Sequence, residues 1–271
     1  MRLGLAAWGL RETQLTEQLK MVSAQGVELL ELGIGSFHTD FLQPGASPEQ
    51  IAHVRRMFAE ADVPFCCAAT GNDFDGAGAD ESLKAKLEEI RITYELQITH
   101  LRIFAGFLPL EKLSAADREK ELECLKIAAE AAAAKGIVPA METHGAVEGF
   151  KDGVRHIMSS STNPELVAET LDMIPELQLN FDPANLLAVG VDPLSFFRRF
   201  QSRIRYVHLK DFEELPSGAL CGGACGAGKL PWHGLMAELR DFDGPVLIEY
   251  EQPGDVYEGF QKSVEFLKQC S

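Results

Sequence analysis

Short apolar runs alternate with amphipathic helical patterns from one end of the chain to the other. The first run, "LGLAAW", starts at Leu3; Leu15, Leu19 and Val22 follow at helical spacing, and Gly26 marks a stop. "VELLELGI" predicts a second strand. Ser47, Pro48 and Gln50 then form a capping box with proline at the first helical position, ahead of Ile51, Val54 and Phe58. "VPFCCAAT" precedes a helix expected to bury Leu83, Leu87, Ile90 and Tyr94. "HLRIFAG" precedes a helix that opens near Ser114 and Asp117 and closes at Gly136. "IVPAMETH" precedes one started by Asn163 and Pro164. "LQLNFD" leads to a short helix, "DPLSFFRRF". "RIRYVHLKD" and "PVLIEYE" complete the strands, and a last helix carries Val256, Phe260, Val264 and Leu267 on its buried face.

Eight strand-plus-helix units imply parallel strands with right-handed crossovers. Their simplest closure is a single-domain (β/α)8 TIM barrel over residues 1–271, a fold of typically about 250 residues. The alternative, an open doubly wound sheet, needs a glycine-rich phosphate loop after the first strand, where "AAWGLRE" stands instead. No linker, low-complexity tract or internal repeat divides the chain.

The phase of the polar positions points to chemistry. Side chains alternate along a strand, so residues two apart share a face. In "LQLNFD", Leu177, Leu179 and Phe181 share the helix-facing side, which turns Gln178, Asn180 and Asp182 into the barrel. The same alternation turns Ala140, Glu142 and His144 inward, then Tyr206, His208 and Lys210, then Leu247, Glu249 and Glu251. Four neighbouring strands thus end in ionisable groups aimed at the axis, at the C-terminal face where barrel enzymes act. Carboxylates gathered there would repel one another unless protonated or bridged by a cation. Glu142, Asp182, His208 and Glu249 offer oxygen and imidazole donors suited to a divalent ion, Mn2+ first, with Zn2+, Co2+ or Mg2+ as alternatives. A lone strand-end glutamate is as readily an ion-pair partner; four in phase are not so easily explained.

Composition narrows the partners. The net charge of -16 disfavours nucleic acid and anionic membrane surfaces. No apolar run approaches the roughly 18 residues of a membrane span, and Leu3–Leu10 reads as a strand rather than a leader, so a cytoplasmic protein is expected. The six scattered cysteines read as free thiols. Cys221 and Cys225 lie in a glycine-rich stretch read as a flexible loop, with only His233 close enough to complete a zinc site. Homo-oligomerisation is left open.

The stretches "GVELLEL", "RIFAG", "METHG", "NFDPANL", "VHLKD" and "VLIEYE", in this order, resemble the xylose isomerase-like barrels, a family of sugar isomerases, epimerases and sugar-acid or inosose dehydratases. The resemblance implies metal ligands at Glu142, Asp182, His208 and Glu249, with Glu142 and Glu249 also as the acid–base pair. It implies a carbohydrate-metabolism isomerase or epimerase acting on a small polyhydroxylated carbonyl compound, a sugar or a sugar phosphate, by proton transfer through a metal-bound enediolate. A dehydratase on the same barrel, or a non-catalytic sugar-binding barrel, is the alternative. Lys210 is expected to steady the enediolate or to pair with a mouth carboxylate. His144, Asn185, Arg102 and His38 are candidate substrate contacts, with Arg102 alternatively a structural ion-pair partner, His144 a support to the ligands and His38 a solvent-exposed loop residue, whereas His53, His156 and His233 read as surface or structural. Two departures bear on the substrate. Asn185 stands where ketose 3-epimerases have histidine, and "DFEEL" follows where they have an arginine. The endonuclease IV type of barrel lacks support for the same reason and because the chain is acidic.

Overall fold

The computed structural model describes residues 2–35 and 42–270. Its strands are β1 (Arg2–Leu5), β2 (Leu29–Ile34), β3 (Cys67–Thr70), β4 (His100–Ile103), β5 (Val138–Glu142), β6 (Ala146–Phe150), β7 (Gly153–Ile157), β8 (Gln178–Phe181), β9 (Ile204–Leu209), β10 (Asp211–Glu214), β11 (Leu220–Gly223) and β12 (Pro245–Ile248). The helices are α1 (Leu15–Gln25), α2 (Pro48–Glu60), α3 (Ala79–Glu95), α4 (Ala115–Ala133), α5 (Pro164–Met173), α6 (Pro183–Ala188), α7 (Pro193–Phe200), α8 (Trp232–Glu238) and α9 (Val256–Cys270).

Eight of the strands close into a parallel barrel in the order β1-β12-β9-β8-β5-β4-β3-β2, β2 pairing back onto β1. This is the (β/α)8 fold that the alternation predicts. Side-chain phase divides the packing in two. Val246 and Ile248 join the large core between sheet and helices, whereas Leu247 points inward to meet Leu29, Cys67, Ala140 and Tyr206. The interior leaves no spare room at the base: a Cβ on Gly4 would lie 2.5 Å from both Leu247 and Leu29. Such a filled floor forces the polar groups to the upper end.

The helices start where the chain chemistry says they should. Ser47 caps α2 in a full capping box with Gln50, Ser114 caps α4 with Asp117, and Asn163 caps α5. Helix α3 departs from its expected face. Leu87 and Tyr94 are exposed, and the buried side carries Ile90 together with Lys86 and Glu89, joined by a 2.7 Å ion pair that is sealed from solvent. Counting apolar residues cannot reveal a helix face that is buried through a charged pair.

A second, antiparallel sheet of order β10-β11-β7-β6 was not expected. β6 and β7 form a hairpin turning at Lys151 and Asp152, inserted between β5 and α5. β10 follows β9 after one residue and pairs with β11, so Cys221 lies on a strand and not in a flexible loop. Trp232 on α8 donates its indole N–H to Asp211 Oδ2 (2.9 Å), tying this sheet to the barrel wall. The cysteines are free thiols, and no described helix is long and apolar enough to cross a membrane.

Candidate metal centre

Glu142 ends β5, Asp182 follows β8, His208 lies on β9, and Glu249 follows β12. The barrel register brings them level, and one donor atom from each lies within 4.8 Å of the others. All four are at most 2% exposed. The inward phase read from the sequence therefore converges on a single point.

Each side chain is held by its own structural logic. Asp182 is the N-cap of α6: Oδ1 accepts from the backbone N–H of Ala184 (2.9 Å) and Asn185 (3.0 Å). Oδ2 is left with no hydrogen-bond partner. Thr143 links the end of β5 to the same place, accepting from Asp182 N and donating to its carbonyl. His208 Nε2 lies 3.1 Å from Glu31 Oε1. Nδ1 has no hydrogen-bond partner and faces Glu249 Oε1 at 3.7 Å and Glu142 Oε1 at 3.9 Å. A carboxylate on one ring nitrogen fixes the proton there and directs the other nitrogen's lone pair at the cluster.

Glu31 was not expected to matter. It stands inside the apolar run of β2, wholly buried, and also accepts from Ala7 N (2.7 Å) and the Tyr206 hydroxyl. A charge in the middle of an inward-facing strand position was the signal, but it does not sit at a strand end, where the other polar groups gather. Burial pushes Glu31 up, yet His208 and Arg102 outweigh it and hold its carboxyl down at about 2.

The electrostatics are those of crowded acids. Burial, with Glu142 and Glu249 alongside, pushes Asp182 up to about 7 against the pull of Lys210. Burial disfavours charge on His208, but Glu31 and Glu249 hold its pKa well above the ordinary value. Glu142 is held well below the usual range, the penalty of burial being overcome by Arg102 and His208. A divalent cation would relieve the crowding that favours protons on Asp182 and His208, and Asp182 Oδ2, with only the Lys210 ammonium beside it, and the unpartnered His208 Nδ1 are donors of the right chemistry for it. The residues fit a metal ion.

Around the quartet, Arg102 Nη1 donates to Glu142 Oε2 (2.9 Å), and Asn185 Nδ2 donates to Glu142 Oε1 (3.3 Å). Lys210 Nζ lies 2.7 Å from Glu249 Oε2, 2.7 Å from Glu251 Oε1 and 3.2 Å from Asp182 Oδ2. Both cations are thus engaged with carboxylates, the pairing alternative weighed for Lys210 and Arg102. Above them opens a cavity of about 330 Å3. Arg102, Glu142, His144, Lys210, Glu249 and Glu251 reach it, while Asn185 stands behind Glu142, to which its side-chain amide donates. His144 turns Nδ1 to the Gly145 carbonyl (2.6 Å) and packs edge-on against Phe104 and Phe107. His38 lies outside the described residues. His156 is neither at the surface nor remote: it is buried on β7 and lines the cavity from the second sheet. Its place there was hidden because the hairpin that carries it was.

Comparison with known proteins places this arrangement. An inosose dehydratase of Lacticaseibacillus casei is 28% identical over 93 residues, covering 28% of this chain and 31% of that protein, so the match spans less than a third of the relative. The crystal structure of the IOLI protein with a binding zinc atom superposes with a TM-score of 0.79 at 15% identity, over 100% of this chain and 98% of that one. D-allulose 3-epimerase from Methylomonas sp., in complex with D-allulose, gives 0.76 at 16% identity over 100% and 97%. At such identities the likeness is one of fold. The model of the xylose isomerase-like TIM barrel matches residues 19–270, almost the whole barrel with all four clustered donors inside it, and the chain belongs to that family.

Proposed function

We propose that the protein is a metal-dependent isomerase or epimerase that moves a proton beside the carbonyl of a small polyhydroxylated compound. The observation that carries this reading is the convergence of Glu142, Asp182, His208 and Glu249 on one buried point at the mouth of the barrel. Three carboxylates and one imidazole suit Mn2+ among the first-row ions. Bound there, a divalent ion would act as a Lewis acid on substrate oxygen and make the neighbouring C–H more acidic.

The chain's own groups would do the rest. Arg102 and Asn185 hold Glu142 in place, and Arg102 keeps it ionised against the cost of burial, so Glu142 stands as a carboxylate with Oε1 turned to the cluster, where it would accept the proton. Glu249 Oε1 faces the same point from the end of β12, three strands round the barrel from β5, and would return one, on the same or the other face of the carbon. Lys210 fixes Glu249 through Oε2 and adds positive charge where an enediolate would form. Phe104 and Phe107 line the same cavity and would screen the reacting carbon from water.

The test is turnover in D2O with Mn2+ present. Deuterium should enter the substrate at the reacting carbon, and Glu142→Gln and Glu249→Gln should each lose about a hundredfold or more in rate. Retention of label on the substrate, with none gained from solvent, would indicate hydride transfer and sink the reading. A dehydratase is favoured by one observation, the partial match to inosose dehydratase. It shares the proton abstraction but expels a hydroxyl, so NMR of the product separates the two.

A further inference from the structure

The cavity lining carries information about the substrate's charge. Arg102 and Lys210 are its cations among the described residues, and both are bound to buried carboxylates. Glu142, Asp182 and Glu249 cluster beneath the cavity, with Glu31 against His208 and Glu251 against Lys210, so even a divalent ion would leave no excess of positive charge. A phosphate or carboxylate on the substrate would have to enter beside Glu251 without a counter-ion, which the low-dielectric site makes costly. The remaining wall is apolar, from Trp8, Phe104, Phe107, Val147 and Val154, and suits the C–H faces of a polyol.

Two histidines break that wall, and His144 already spends Nδ1 on the Gly145 carbonyl. His156 is 8% exposed and stacks obliquely on Phe212 at 4.6 Å between ring centroids. Its Nδ1 is sealed away without a hydrogen-bond partner, which leaves Nε2 as the nitrogen able to meet a ligand. Burial, with Lys210 and His144 nearby, pushes its pKa down to about 3, so the ring offers a hydrogen bond and not a charge.

We propose that the cavity takes an uncharged polyhydroxylated ketone, linear or cyclic, and that His156 Nε2 hydrogen bonds one of its hydroxyls. The proposal rests on the proton-transfer reading for the identity of the site but makes a separate demand of it. Ligand-observed NMR on the Mn2+-free protein, and deuterium uptake from D2O on the Mn2+-loaded protein, should be run over free ketoses and inososes, their phosphate esters, and sugar keto acids.

Neutral compounds should bind about tenfold or more tightly than their charged counterparts. Equal or tighter binding of a phosphate ester or keto acid, or no binding by any neutral compound, overturns the proposal. Neutral compounds that bind but take up no deuterium would support it while refuting proton transfer. Deuterium uptake confined to a charged compound would do the reverse. His156→Ala should raise Kd for the bound ketone about tenfold, the scale of one hydrogen bond, and His156→Gln should recover part of it, with Mn2+ titration unchanged in both. An unchanged Kd in a folded His156→Ala protein removes His156 from the site.

Discussion

Glu31→Gln isolates the least visible part of the candidate centre. The substitution keeps shape but replaces one of two acceptor oxygens with a donor. In the wild type, Oε2 accepts from Ala7 N, and Oε1 serves both the Tyr206 hydroxyl and His208 Nε2. Glutamine has two ways to fit, and each fails somewhere. If its oxygen faces Tyr206 and His208, its amide meets the Ala7 N–H donor to donor, leaving buried groups unpaired at about 1–3 kcal/mol. If it is flipped, the amide donates toward His208 Nε2 and favours the tautomer with hydrogen on Nδ1, the nitrogen that faces Glu142 and Glu249. Either way the imidazole loses a carboxylate that raises its basicity. Loss of such a supporting partner lowers metal affinity by about ten- to hundredfold. That corresponds to about 1.4–2.7 kcal/mol. The assay is calorimetric titration of Mn2+ and Zn2+ into metal-stripped protein, with urea unfolding in chelator to measure the fold separately. Wild-type affinity in a variant that has lost stability would mean that Glu31 only supports the barrel floor, and the tautomer argument would fall.

Other perturbations test the same site and its surroundings. His208→Ala and Asp182→Ala each remove a proposed ligand and should weaken Mn2+ binding by more than about tenfold; normal titration of both would displace the quartet as the metal site. Stripping the ion with chelator should lower the melting temperature by several degrees, because ligand at a hundred times Kd stabilises by about 2.7 kcal/mol; a scan indifferent to added Mn2+ would contradict that. Lys86→Ala leaves Glu89 buried without its partner and should cost about 3–5 kcal/mol in urea unfolding. A loss below about 1 kcal/mol there would show that solvent reaches the pair.

The parts of the fold that could be read from sequence are those where burial and polarity share one period. β8 and β12 alternate cleanly, so Asp182 and Glu249 could be placed on the inner face before any coordinates, and the barrel followed from eight repetitions of one unit. The unread parts lack that regularity. Residues 146–157 are half exposed on both faces, with Gly149 and Gly153 in the strands and charges between, so "AVEGFKDGVRHI" shows no period of two. Lys86 and Glu89 neutralise each other within the protein, which removes them from any count of apolar positions. Glu31 is satisfied by Ala7, Tyr206 and His208, residues up to 177 positions away, and no local pattern encodes such a partnership.

The added sheet divides labour in the molecule. The proposed proton-transfer groups belong to the barrel, whereas Val147, Val154 and His156 reach the cavity from a hairpin that contributes none of the clustered donors. The two hairpins of that sheet are joined through one register pair, Leu220 with Val154. Transplanting 146–157 from another member of the family would therefore exchange that part of the cavity wall while leaving the ionic core untouched. Gly153 is the position such a graft must keep, since a Cβ there would come within 2.4 Å of the Leu220 carbonyl. Variation in this segment would reshape the cavity without disturbing the clustered donors beneath it.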